Sequence, residues 1–313
     1  MADQAGFHGI DIGGTKIELA TYDVAMAEVY RERIATPAED IAAFTDAIRG
    51  LVLRGDGVLG SAAPVGIGLP GVTDSRSGRQ LSSNVPALNG RQVCNMLQQA
   101  LARPVAIGND CQCFALSEAE GGAADGLPTM FGAILGTGAG AGWCAGGRLQ
   151  RGHNGIAGEW GHWQLPATLA ELYGLELIPC PCGRTGCLER YVSGPGMARL
   201  HRHFGGDGAE PLAIAARANA GDQLAHRTLA VHLDLLAHGL ACVVLCLDPH
   251  AIVLGGGLSN LPHLYLDLPV ALQRHLFAGA YPPPILPPRF GDAGGVRGAA
   301  LLIRQQLKDK ATP

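Results

Sequence analysis

The segment from Gly158 to Glu189 constrains the fold more than any other stretch of the chain. It opens with Gly158-Glu159-Trp160-Gly161-His162 and closes with Cys180-Pro181-Cys182-Gly183-Arg184-Thr185-Gly186-Cys187-Leu188-Glu189. Three thiols within eight residues, with an imidazole eighteen residues upstream, form the donor set of a closed tetrahedral Zn²⁺ site. Gly183 and Gly186 fall where the chain must bend tightly to aim the sulfurs at one point. The alternative is a set of reduced, unligated thiols. Clustered cysteines in an intracellular chain read more often as metal ligands than as disulfides. His162, Cys180, Cys182 and Cys187 are therefore the expected ligands. Four protein donors leave no open coordination position, so the metal is expected to be structural. By joining the two ends of the segment it would also bring Glu159 and Glu189 close together.

Two further signals lie upstream. Phe7 to Ile12, Ile17 to Tyr22 and Glu28 to Ile34 read as strands, the first two joined at Asp11-Ile12-Gly13-Gly14-Thr15-Lys16. A Gly-Gly turn is commonly just a hairpin. The same turn, with a threonine hydroxyl and a lysine beside freed backbone N–H groups, also makes a phosphate-binding concavity, and Asp11 is placed to meet Mg²⁺ through water. A second strand, Met130 to Leu135, runs into Gly136-Thr137-Gly138-Ala139-Gly140-Ala141-Gly142. Together the two units suggest a duplicated fold with two facing phosphate loops. A third glycine cluster, Gly255-Gly256-Gly257, follows the strand Ala251 to Leu254.

Between these signals the pattern alternates strands and helices. Thr36-Pro37-Ala38-Glu39 reads as a capping box with proline at the first helical position. Ile41, Phe44, Ile48 and Leu51 then share a helical face. Val65 to Leu69 and Val105 to Gly108 read as buried strands, and helices are expected over Val93 to Leu101, Cys111 to Glu120, Leu224 to Leu247 and Gly294 to Leu307. Asp110 stands at a strand-to-helix junction. Local sequence leaves two readings open there: a helix N-cap, or a general base at the carboxyl edge of a sheet.

Composition removes several classes. Hydrophobic content of 47% and charged content of 16% exclude a disordered chain. A net charge of −4 without a basic cluster lacks the footprint of a nucleic-acid partner. No charged n-region or apolar h-region opens the sequence, so a signal peptide is not expected. The apolar run Gly239 to Leu247 is too short for a membrane span. Nine scattered cysteines, an odd number, point to a reducing cytoplasm. The 46 glycines suggest a backbone brought close to ligands.

Taken in order, Asp-x-Gly-Gly-Thr-Lys, Asn109-Asp110, Gly-Thr-Gly-x-Gly, Gly-Glu-x-Gly-His and Cys-x-Cys-Gly-x-x-Gly-Cys-x-Glu resemble the ROK family of repressors, open reading frames and sugar kinases, part of the actin-like ATPase superfamily. The resemblance runs from Gly9 to about Leu302. Ser83-Asn84-Val85-Pro86-Ala87, Cys113-Phe114-Ala115-Leu116-Ser117-Glu118-Ala119 and Gly291-Asp292-Ala293-Gly294-Gly295-Val296-Arg297-Gly298-Ala299-Ala300 resemble its N-acetyl-D-glucosamine kinase branch. The resemblance implies an α/β, two-domain actin-like (ribonuclease H-like) fold with an interdomain cleft and a zinc knuckle. The expected domains are residues 1–118 plus 295–313, and 119–294. It implies a cytoplasmic homodimer that phosphorylates a sugar 6-hydroxyl with Mg-ATP. In that picture Asp110 accepts the hydroxyl proton, and Asn84, Asn109, Glu159, His162 and Glu189 hold the sugar. Asp11, Gly13, Gly14, Thr15 and Lys16, with Gly136, Thr137, Gly138 and Gly140, cradle the nucleotide phosphates, and Gly256 lies near the adenosine.

Three departures from the family pattern bear on specificity. Asn109-Asp110-Cys111-Gln112 stands where Asn-Asp-Ala-Asn is common, Ala139 and Ala141 replace loop glycines, and Trp160 and Trp163 add bulk beside the sugar-binding segment. Glucose, fructose, mannose and N-acetylmannosamine are alternative substrates. ROK repressors carry a helix-turn-helix ahead of the first glycine turn. The ten residues before Asp11 are too few for one. A catalytically silent sugar sensor is the remaining alternative, and retention of both glycine loops and Asp110 speaks against it.

Overall fold

A computed structural model describes residues 5–81, 84–291 and 294–311. Ser83, Asp292 and Ala293, which belong to two of the segments quoted above, lie outside the described residues. The first apolar run forms β1 (Gly6–Ile12) and returns as β2 (Lys16–Asp23), antiparallel, with Ile12 opposite Ile17. β3 (Glu28–Ala35) continues the meander. Thr36-Pro37-Ala38-Glu39 does not start a helix. α1 (Ile41–Leu59) begins after Asp40, whose carboxylate accepts the N–H groups of Ala42 and Ala43 at 2.8 and 3.2 Å. The Thr36 hydroxyl instead donates to the Gly13 carbonyl at 2.8 Å.

Next come β4 (Val65–Gly68), a small hairpin of β5 (Val72–Thr73) and β6 (Gln80–Leu81), α2 (Val93–Leu101), β7 (Val105–Gly108) and α3 (Asp110–Ala119). The first sheet has the order β3-β2-β1-β4-β7, with β1, β4 and β7 parallel. Ile10, Ile12, Leu19 and Ile67 of this sheet bury themselves with Phe44, Ile48 and Leu51 of α1. The helical stripe read from the sequence is therefore this core face.

The second sheet has the order β10-β9-β8-β11-β12: β8 (Thr129–Leu135), β9 (Ala139–Ala145), β10 (Arg148–Leu149), β11 (Ile252–Gly255) and β12 (Ile285–Leu286). β8, β11 and β12 are parallel. Between β10 and β11 the chain forms α4 (Ala167–Tyr173), α5 (Glu189–Val192), α6 (Gly194–His203), α7 (Pro211–Asn219) and α8 (Gln223–Leu247); α9 (His263–Gln273) precedes β12. α6, α7 and α9 escape the sequence pattern because prolines stand at the start of the first two and inside the third, at Pro269. α8 as a whole is long and apolar enough to cross a bilayer, unlike the shorter run noted above. It buries residues from Ala225 to Val244, as a core helix does.

α10 (Gly294–Ala311) lies on the first sheet. A Cβ on Gly9 would stand 2.0 Å from the Val296 carbonyl, and one on Gly66 1.7 Å from that of Ala299. Part of the high glycine content therefore serves helix-on-sheet contact rather than ligand approach. Contacts divide the chain into two compact units. One holds the chain up to Gly122, Gly142–Ala157 and α10; the other holds Ala123–Ala141 and Gly158–Gly291. The segment Gly142–Ala157 thus belongs to the first unit, where the expected boundaries had it in the second.

Candidate functional site

The first glycine turn is a hairpin: Gly13 N–H donates to the Lys16 carbonyl at 2.8 Å. It is braced from outside, because Thr36 bonds the Gly13 carbonyl with its hydroxyl and the Thr15 carbonyl, at 3.1 Å, with its N–H. Thr15 and Lys16 stay exposed. A Cβ on Gly14 would stand 2.7 Å from the Asn84 carbonyl, so the turn needs glycine to lie against that segment. Asp11 stands among backbone: a Cβ on Gly68 would be 3.3 Å from its Oδ1, and one on Gly295 3.4 Å from its Cγ. Burial first, then the nearby Asp110 carboxylate, push Asp11 up to about 6. Thr36, Gly68 and Gly295 escaped sequence reasoning, and only the Gly294-Gly295 doublet gave a signal.

Asp110 is not the helix cap. Asn109 takes that role: its Oδ1 accepts the Cys111 N–H at 2.9 Å, and Gln112 Oε1 accepts the Asn109 N–H at 3.4 Å, closing a capping box. Asn109 Nδ2 donates to the Gly71 carbonyl at 3.0 Å. Its amide is thus anchored to the chain at both ends, with one N–H left over. Asp110 is the first helical residue, half-buried, and its Oδ1 shares the Cys111 N–H at 2.9 Å. Burial raises its carboxyl above the usual range, against the pull of the Cys111 N–H. Gln112, itself buried, reaches on to the Gly155 carbonyl at 2.8 Å.

In the second unit the expected loop Gly136–Gly142 is shorter than its composition implies. The turn is Gly136-Thr137-Gly138, with Gly136 N–H on the Gly138 carbonyl at 3.0 Å, and Gly140 and Gly142 belong to β9. Gly194 N–H, at the start of α6, donates to the Gly136 carbonyl at 2.9 Å. Gly256 has φ +75°, and a Cβ there would meet the Leu135 carbonyl at 2.6 Å and Gly136 N at 3.0 Å, so the third glycine cluster packs directly on the second turn. Beside it opens a cavity of about 400 Å³ lined by Leu135, Gly136, Thr137, Gly194, Pro211 and Gly257, among others. Gly194 and Pro211 gave no sequence signal for this role.

The knuckle closes in the same unit. One donor atom from each of His162, Cys180, Cys182 and Cys187 lies within 4.8 Å of the other three. Cys182 and Cys187 Sγ are 3.5 Å apart, and Cys180 Sγ is 3.9 Å from His162 Nδ1. Thiolates at about 2.3 Å from a shared tetrahedral Zn²⁺ stand roughly 3.8 Å apart, so the donor set fits that ion. His162 Nε2 stands 3.6 Å from Glu159 Oε2, the outer contact that orients a ligating imidazole. Glu189 Oε1 is 3.1 Å from Cys180 Sγ, and its Oε2 accepts the Ala139 N–H at 3.4 Å. The knuckle and the second glycine turn therefore share one carboxylate.

Trp160 does not crowd a pocket. It is fully buried, with Nε1 on the Gly140 carbonyl at 3.1 Å, and α8 approaches it through Gly239. Trp163 is 38% exposed and remains available at the surface.

Glycine turns at strand ends, a half-buried aspartate beyond a parallel strand and a His–Cys₃ cluster whose geometry fits a metal ion mark the chain as an α/β protein of a recognisable class. The chain belongs to the ROK family, whose model matches residues 7–306. It is 45% identical over 296 residues to an N-acetylgalactosamine kinase of Shewanella sp. (strain ANA-3), covering 95% of this chain and 96% of that one. It is 40% identical over 298 residues to an N-acetyl-D-glucosamine kinase of Yersinia enterocolitica, covering 95% and 98%. Among solved structures it is similar to a ROK hexokinase from Thermus thermophilus, with a TM-score of 0.86, 31% identity and coverage of 97% and 99%.

Proposed function

We propose that the protein transfers the terminal phosphoryl group of ATP to the 6-hydroxyl of an N-acetylhexosamine, N-acetyl-D-glucosamine being the first choice. The observation that carries this reading is Asp110. It stands just beyond a parallel strand, and Asn109 already caps the helix, so capping does not explain the aspartate. A carboxyl raised by burial is suited to orient a hydroxyl and take its proton. Phosphoryl transfer otherwise asks for positioning and charge neutralisation. The turns at Gly13–Lys16 and Gly136–Gly138 supply N–H donors for the phosphates, and Asp11 has the site and charge to hold the hydration shell of Mg²⁺. Gly140, at the start of the strand that follows, completes this phosphate-binding segment. Asn84, Asn109, Glu159, His162 and Glu189 hold sugar hydroxyls, Asn109 from its place at the helix cap. His162, Cys180, Cys182 and Cys187 hold a structural Zn²⁺. The working form is a cytoplasmic homodimer.

N-acetyl-D-galactosamine is a second reading, favoured by the 45% identical relative. The deciding experiment is a coupled ADP-release assay with Mg-ATP on N-acetylglucosamine, N-acetylgalactosamine, N-acetylmannosamine, glucose, mannose and fructose. The expected result is a kcat/KM for the first sugar well above the rest. A preference for N-acetylgalactosamine moves the specificity and keeps the chemistry. No turnover on any sugar by zinc-loaded protein overturns the kinase reading in favour of a silent sensor.

A further inference from the structure

The cavity beside the second glycine turn has a chemical asymmetry that the phosphate-binding role does not use. Most of its lining is apolar or neutral: Leu135, Pro195, Pro211, Leu212 and Leu258, with Gly136 and Thr137 of the turn. Glu210 is the one ionisable residue among those lining it. Glu210 is the N-cap residue of α7, a position where a side chain ordinarily accepts a helix N–H, yet its side chain makes no cap hydrogen bond. Nor does its carboxylate make a hydrogen bond or ion pair with any described residue. Pro211 at the first helical position removes one N–H it would otherwise meet. Glu210 is exposed while it lines this mostly apolar cavity.

A carboxylate accepts hydrogen bonds and repels phosphate. In a nucleotide whose phosphates lie on the glycine turn and whose flat base fills the apolar walls, the part between them is the ribose, with two adjacent hydroxyl donors. We propose that Glu210 is the specificity residue for the nucleotide, its carboxylate accepting the 2′- and 3′-hydroxyls of the ribose. This rests on the nucleotide site proposed above. Charge-assisted hydrogen bonds to a vicinal diol favour the ribonucleotide over one that lacks both hydroxyls.

The test is equilibrium binding of ADP, 2′,3′-dideoxy-ADP and IDP to the full chain, without sugar, for wild type, Glu210→Ala and Glu210→Gln. Wild type is expected to prefer ADP over the dideoxy nucleotide by roughly tenfold, as for a lost hydrogen bond to a charged group. Glu210→Ala should bring that ratio close to one without weakening the dideoxy nucleotide. Equal ratios in wild type and Glu210→Ala overturn the proposal. So does a loss confined to the ADP-over-IDP preference, which would assign Glu210 to the base. Gly256→Val serves as the control for the site itself. If that variant binds ADP as wild type does, the nucleotide lies elsewhere and the parent reading fails, whatever Glu210 does.

Discussion

The two glycine turns look alike in sequence and are built differently. The turn at Gly13–Lys16 is a hairpin between paired strands, and its outside brace, Thr36, comes from the end of the next strand. It carries its own ionisable groups, Asp11 and Lys16. The turn at Gly136–Gly138 carries none. It is held by residues far along the chain: Gly194 on the Gly136 carbonyl, Gly256 packed on Leu135 and Gly136, and Glu189 on the Ala139 N–H. Glu189 in turn touches the cysteine knuckle. The first turn is thus charged and hydrogen-bonded by neighbours in its own meander, the second neutral and hydrogen-bonded by segments far along the chain. Damage around Glu189, Gly194 or Gly256 should reach the second turn and spare the first.

The largest expected effect lies in the unit with the charged turn. Asp110→Asn should lower turnover by about 10²–10⁴-fold, the usual worth of a positioned base, while sugar affinity measured by calorimetry stays within a few-fold. Near-normal turnover would remove Asp110 from that role. The cap should survive, because Asn109 and Gln112 make it.

Next is the knuckle. Cys187→Ser should lose the metal, seen as less than one zinc per chain by elemental analysis. Through Glu189 it should weaken both sugar and nucleotide binding, by roughly tenfold or more each if hydrogen bonds to a charged group are lost. If nucleotide affinity is untouched while zinc is gone, the shared carboxylate does not couple the knuckle to the second turn.

The turns themselves give the sharpest contrast. Gly256→Ala puts a Cβ 2.6 Å from a backbone carbonyl at φ +75°, a strain of about 1–3 kcal/mol. It should weaken ADP binding by roughly tenfold. Gly13→Ala meets only the Lys16 carbonyl at 3.4 Å, an ordinary contact, and should change binding about two-fold or less. Equal losses at the two positions would break the distinction between the turns.

What could be read from the sequence follows the same division. The hairpin at Gly13, the strands around it, the face of α1 and the four cysteine-knuckle donors are set by short-range pattern, and they stand where the pattern put them. The second turn was overextended because alanine and glycine in a buried strand look like loop. Thr36 read as a helix cap because its motif is complete in sequence, yet Asp40 offers a better acceptor at the true helix start, and the Thr36 hydroxyl finds the Gly13 carbonyl. At Asn109-Asp110 the sequence left the cap open, since either side chain can cap and only the backbone decides which stands one residue outside the helix; it is Asn109. Trp160 looked like pocket bulk because nothing in sequence shows that Gly239 of α8 makes room for it in the core.

The smallest effect concerns the charge of the first turn. Asp11 ionises at about 6 in the folded protein, above its ordinary value of 3.8. Between pH 4 and 6 the folded state therefore holds a proton that the unfolded chain has released, so stability falls across that window and stays lower above it. The expected loss is roughly 2–3 kcal/mol, from 1.36 kcal/mol per pH unit. Asp11→Asn cannot ionise, so its melting temperature should fall less from pH 4 to 7 and should exceed that of wild type at pH 7 by several degrees. An unchanged difference between the two proteins across that range would mean that Asp11 is solvated like an ordinary carboxylate. The crowding by Gly68, Gly295 and the Asp110 charge would then not hold it for a metal-bound water, and the first turn would be as neutral in function as the second.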